Sequence, residues 1–181
     1  MICATITIAA VAVFGGLIAS RLGYMGGNDK YHHDQTCKQI KGIKGGYDMV
    51  IYKEMIIVSQ LNLIELIAIN GSGVTPGGLW VLELDKFANK TDVLKKLEIK
   101  NFPANTNFHP AGMDIKNDRL YVINHGMNKG GERLEIFKLS ILAKQLKVEW
   151  VEGKKLGGDD VNGAFNDILV IDDKTYYITQ W

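Results

Sequence analysis

Cysteine is scarce: the 181 residues hold only two. A disulfide-stapled scaffold is therefore excluded, since such frameworks need several pairs at short range. Surplus charge of one sign is also missing. Lysines and arginines nearly balance the acids, for a net charge of +1, and they are spread along the chain. That leaves no basic footprint for nucleic acid. No Gly-x-Ser-x-Gly elbow occurs, because Gly71-Ser72-Gly73 lacks its frame, so a serine-hydrolase mechanism has no nucleophile to build on. Residues 1–20 contain no charge at all.

That uncharged run, ending at Ser20-Arg21, reads as an export signal or a membrane anchor. The small residues near Ser20 permit cleavage, and the absence of Lys or Arg ahead of the run leaves its orientation open. A buried core helix is the bland alternative. The expected location is secreted or membrane-anchored, with membrane or lipid-particle association through residues 1–20. Two sequons, Asn70-Gly71-Ser72 and Asn89-Lys90-Thr91, fit a secretory route. Residues 21–36 read as a polar linker, and the pair His32-His33 inside it as a solvated loop without a second ligand cluster. Cys3 lies in the apolar run, so Cys37 stands alone in the remainder.

From residue 37 onward the pattern is short runs of β-branched and large apolar residues between Gly, Asn, Asp and Lys turns. Strands are expected at 49–52, 55–59, 79–84, 113–115, 120–123, 134–139, 148–151, 168–171 and 175–179, which makes the fold class all-β. Residues 85–97 fit a weak helical period or a loop. Three segments share one form of strand, charged turn and strand: 47–59, 112–124 and 166–179. The first two are each followed by a further strand. This is a repeat the size of a propeller blade, giving about three such units.

In that repeat Asp48, Met113 and Asp167 align at the start of each first strand. Two aspartates and a main-chain carbonyl meeting there, with Asn166 beside them, make a hard-oxygen donor set, which selects calcium over zinc or copper. Taken singly, an Asp at a strand start is a turn residue.

The motifs Cys37-Lys38-Gln39-Ile40, Tyr47-Asp48, Phe108-His109-Pro110-Ala111-Gly112-Met113, Asn124-His125, Leu134-Glu135-Ile136-Phe137-Lys138 and Phe165-Asn166-Asp167, in this order and spacing, resemble the paraoxonase/arylesterase family. The resemblance covers 37–181. It implies a six-bladed β-propeller of which the chain holds the N-terminal half, calcium-dependent hydrolysis of aryl esters or lactones, and a small-molecule ester or lactone as substrate, with no nucleic-acid partner. It also implies a buried calcium held by Asp48, the Met113 carbonyl and Asp167, a second calcium that draws on Asn166, and His125 as a catalytic histidine. Tyr47 stands where the family has a calcium-binding glutamate, and Ala111 where it has the water-activating histidine. His109, two residues before Ala111, reads either as a substitute base or as a loop imidazole bonded to a nearby carbonyl. In the family the cysteine matching Cys37 is tied to a distant C-terminal end. The chain is accordingly expected to be a fragment, a truncated product or half of an assembly, and a non-catalytic calcium-binding propeller module is the alternative function.

Overall fold

The computed structural model describes residues 40, 42–63, 65, 75–85, 94–126, 129–157 and 165–180. They belong to a compact unit, Ile40–Trp181. The expectations for residues 1–20, the linker 21–36, Cys37 and both sequons lie outside the described residues. Among the described residues no helix is long and apolar enough to cross a membrane.

The described chain is built of β-strands in three sheets. Strands β1 (Gly46–Tyr52), β2 (Met55–Gln60), β3 (Gly78–Glu83) and β4 (Lys95–Lys96) form an antiparallel meander in the order β1-β2-β3-β4. The second sheet contains β5 (Ile99–Lys100), β6 (Pro110–Lys116), β7 (Arg119–His125), β8 (Glu132–Leu142) and β9 (Gln145–Lys155). Its order is β5-β9-β8-β7-β6, antiparallel except for the short β5. The third sheet is the hairpin of β10 (Phe165–Val170) and β11 (Tyr176–Gln180). All nine expected strands are present, which bears out the all-β class. The two unexpected ones, β4 and β5, are dipeptides rich in lysine, too short for any alternation to show. Within the ambiguous stretch 85–97, Lys95–Lys96 supply β4, and residues 86–93 lie outside the described residues.

Turn chemistry explains why two of the hairpins close tightly. Asn117 and Asp118 both adopt positive φ (50° and 54°) between β6 and β7, the left-handed pair that matches the twist of the flanking strands and that Asn and Asp tolerate best. Ala143 and Lys144 do the same between β8 and β9 (50° and 63°). Neither residue is favoured there, so that turn carries strain offset by the long ladder behind it.

The second sheet sits in the middle and is covered on both faces. Leu120, Val122, Phe137 and Leu139 face Tyr52, Ile57, Leu79 and Val81 of the first sheet. On the opposite face Tyr121, Ile123, Leu134 and Ile136 join Ile168 and Val170 of the third. This is why β7 reads Leu-Tyr-Val-Ile without polar alternation, since a strand buried on both sides needs apolar residues at every position. Phe137 also stacks with Phe102 and meets Phe108 edge-on. The Tyr52 hydroxyl donates to Asp118 at 2.7 Å, tying the end of β1 to the β6–β7 turn, and burial followed by that carboxylate pushes the phenol up to about 12.

Because Phe137 is fully buried at the centre of this arrangement, Phe137→Ala should lower unfolding free energy by about 3–5 kcal/mol. Denaturant titration reads this directly, and a loss below about 1 kcal/mol would mean the site collapses around the cavity.

Candidate functional site

The first long strand of each sheet, β1, β6 and β10, carries a β-bulge at the same place. The breaks fall between Gly46 and Met49, Pro110 and Met113, and Phe165 and Ile168, facing Gln60–Val58, Asn124–Val122 and Gln180–Ile178 respectively. This register corrects the repeat alignment read from the sequence. Asp48 and Asp167 are equivalent, but their counterpart in β6 is Gly112, with Met113 one position further on. Aligning the segments from their first residues, 47, 112 and 166, conceals the slip; anchoring them on Gln60, Asn124 and Gln180 exposes it.

The bulges shape the site. In β1 the Asp48 N–H donates to Ser59 Oγ (3.0 Å), and in β10 the Asp167 N–H donates to Thr179 Oγ1 (3.0 Å). Each aspartate then turns back to accept the next amide, Met49 N–H at 2.7 Å and Ile168 N–H at 2.8 Å. Gly112 has no carboxylate to do this. The Met113 N–H is taken instead by Asp48 Oδ2, reaching over from β1 at 2.7 Å. A Cβ on Gly112 would lie 2.5 Å from Asn166 O, 2.5 Å from Asp167 Cα and 2.6 Å from Asp167 Oδ1, so its bareness lets β10 close onto β6. One step along, Asp114 Oδ2 accepts the Val170 N–H at 2.7 Å. Tyr47 donates its hydroxyl to Asn166 Oδ1, linking β1 to β10.

Asp48, Asn166 and Asp167 thus come together at one end of the sheets, as expected. Met113 is there too, but it shows Asp48 its amide N–H. Burial raises the Asp48 carboxyl above the ordinary carboxylate range, and the charges of Asp167 and Asp114 add to that, against the opposing bonds from Met113 and Met49. Burial, then Asp167 and Asp48, likewise raise the Tyr47 phenol, which stays a neutral donor. No lysine or arginine pairs with Asp48 or Asp167 among the described residues. A hard dication answers such a like-charged, all-oxygen group in kind. In number the fit is partial: no three Asp, Glu, His or Cys side chains among the described residues converge to hold a metal, so amide and main-chain oxygens would have to complete the set.

The histidines stand at the same end, across the β6–β7 pair. His125 is buried, and its Nδ1 meets both Glu132 oxygens, at 2.9 and 2.8 Å. A carboxylate only accepts, so Nδ1 carries the proton and Nε2 presents a lone pair. His109 is equally buried. Its Nδ1 lies 2.9 Å from the His125 carbonyl, and its Nε2 has no partner among the described residues. Asn124 holds this corner, accepting the His109 N–H at 2.8 Å and donating to Asn107 O at 2.9 Å. Behind it the fully buried Glu135 is satisfied by Arg133 Nε (2.7 Å) and Trp150 Nε1 (2.8 Å), as a buried charge must be. Ala111 has no exposure. Glu132 carried no recognisable sequence signal, and Glu135 stood in one of the resemblance motifs without a role. Ser59 and Thr179 offered a faint signal as hydroxyls eleven and twelve residues after Asp48 and Asp167.

Fold and site together define an all-β protein of stacked antiparallel meanders with a carboxylate, amide and imidazole cluster at one end. No protein-family model matches the chain, and no match is found among curated proteins or solved structures.

Two outcomes follow from this geometry. Gly112→Ala should force β6 and β10 apart and destabilise the fold by about 1–3 kcal/mol, read by thermal unfolding, with the β10–β11 amides losing hydrogen-exchange protection first. A carboxyl raised in the folded state contributes stability that is complete below its unfolded pKa and is lost as pH rises through the raised value. In chelator-treated protein, Asp167→Asn should therefore move the Asp48 titration downward in carboxyl NMR and lessen that loss; an unmoved Asp48 titration would refute the coupling.

Proposed function

We propose that the chain is a calcium-dependent hydrolase of aryl esters or lactones, built as about three blades of a β-propeller of the paraoxonase/arylesterase type and delivered to the secretory route or a membrane by residues 1–20. The observation that carries this reading is the meeting of Asp48, Asn166 and Asp167 at the sheet end where His125 stands with its Nδ1 fixed by Glu132. The repeated bulged first strands, each beside the next, support the propeller.

Asp48, Asp167, the Asn166 amide oxygen and the Met113 carbonyl would hold the cation. When bound it supplies a Lewis acid for a carbonyl oxygen and for the oxyanion that follows. The chain's own residues do the rest. Glu132 orients the His125 ring and fixes its proton on Nδ1, while Nε2 draws the proton from the attacking water. Asn124 and Glu135 keep the corner rigid, so the imidazoles do not have to be reorganised at each turnover.

A second reading, a calcium-binding propeller module without turnover, is favoured by Ala111 and Tyr47. Neither supplies the base or the carboxylate that the family has at those positions, and Tyr47 already occupies Asn166 Oδ1. Hydrolysis of phenyl acetate and of a lactone by the purified chain, with calcium or with a chelator, separates the two. The hydrolase reading expects chelator-sensitive turnover that falls by about a hundredfold or more in His125→Gln. A calcium-dependent rise in melting temperature without turnover establishes the second reading. Neither turnover nor a calcium-dependent rise defeats both.

A further inference from the structure

The opposite end of the first two sheets holds a different feature, independent of the metal and histidine cluster. A cleft of about 270 Å³ opens between β3–β4 and the β8–β9 hairpin. Its floor is apolar, formed by Met55, Val81, Leu146 and Val148, all of them buried. Its walls are basic, with Lys95, Lys96, Lys100, Lys144 and Lys147 around it. Register explains the arrangement. Lys95 is paired with Val81 and so shares its face, Lys100 is brought in by the parallel pairing of β5 with β9, and Lys144 sits at the strained tip of the β8–β9 turn.

Among the described residues of the lining, five lysines against two glutamates, Glu83 and Glu98, concentrate positive charge in a chain whose net charge is +1. Lys147 donates to the neutral Gln145 Oε1 at 2.9 Å. The other four have no ion pair among the described residues. Cations held close together repel one another, so their grouping at a cleft mouth favours an anion between them. Lysine gives compact charges on flexible stems, suited to a single anionic head group and not to a fixed bidentate fork. The apolar floor requires that the anion carry a hydrocarbon body, and among the described residues no aromatic ring lines the cleft to stack a nucleobase.

We propose that this cleft binds a single-chain anionic amphiphile, its carboxylate or phosphate among the lysines and its chain on the Met55–Val81–Leu146–Val148 floor. The test is calorimetric titration of the full chain with decanoate, decyl phosphate, decanol and inorganic phosphate. Either or both amphiphilic anions should bind, the tighter one naming the head group. Affinity should fall as salt is raised, and decanol and inorganic phosphate should bind at least about tenfold more weakly. Lys95→Glu with Lys144→Glu should cost about tenfold or more in affinity, and Lys138→Glu, exposed elsewhere on β8, should cost nothing. Both altered lysines of the pair are exposed, so folding should persist by circular dichroism; the milder Lys100→Gln with Lys144→Gln should give a smaller loss in the same direction. Absence of anion binding, decanol binding as tightly as decanoate, or undiminished binding by the charge-reversed protein would each overturn the proposal.

Discussion

Asp48 reaches from β1 to the amide of Met113, and Asp114 reaches from β6 to the amide of Val170, both at 2.7 Å. These two carboxylate bridges join three sheets that share no strand. Each satisfies an amide on a first strand that faces a neighbouring sheet, where an unpaired N–H would be costly. They work only because β6 has glycine where β1 and β10 have aspartate. With a carboxylate at 112, the Met113 amide would be bonded within its own strand and β10 would be held away. The cluster of acids at the sheet ends is thus first a joint between sheets, and its donor chemistry follows from that role.

The joint and the core depend on each other. Sheet two is buried on both faces, so the positions of sheets one and three are set by how Leu120 and Val122 pack on one side and Tyr121 and Ile123 on the other. The bridges then fix the rotation at one end. Burial of a carboxylate is the main cost and like-charge repulsion adds to it: the Asp48 carboxyl is raised by burial first and then by Asp167 and Asp114, and a bound dication would offset both. The imidazoles at the same end are held by polar groups in the second sheet alone, through Asn124, Glu132 and Glu135.

Much of this was legible before any coordinate. Alternation and turn residues located every strand long enough to show a period, and the Lys116-Asn117-Asp118 turn and the threefold strand-turn-strand repeat were visible as such. Asp48, Asn166 and Asp167 were singled out from the repeat, and they do lie together. The Met113 assignment shows the limit of the method. All three strands carry the same bulge, so the slip of one comes from where each segment is taken to begin, and the pairing partners reveal Gly112 as the true counterpart.

Local properties of the chain were therefore determined by sequence alone: where strands lie, which turns close them, and that acids recur at strand starts. Side-chain period and turn conformation depend on near neighbours, which a sequence displays. Tertiary structure alone decided which groups meet. It set Glu132 under His125 and Glu135 behind Asn124. It also gathered lysines from 95–100 and 144–147 around one apolar floor, although in sequence they look evenly spread. Such meetings depend on the register between strands and on the packing of sheets distant along the chain, and neither is written in any local stretch.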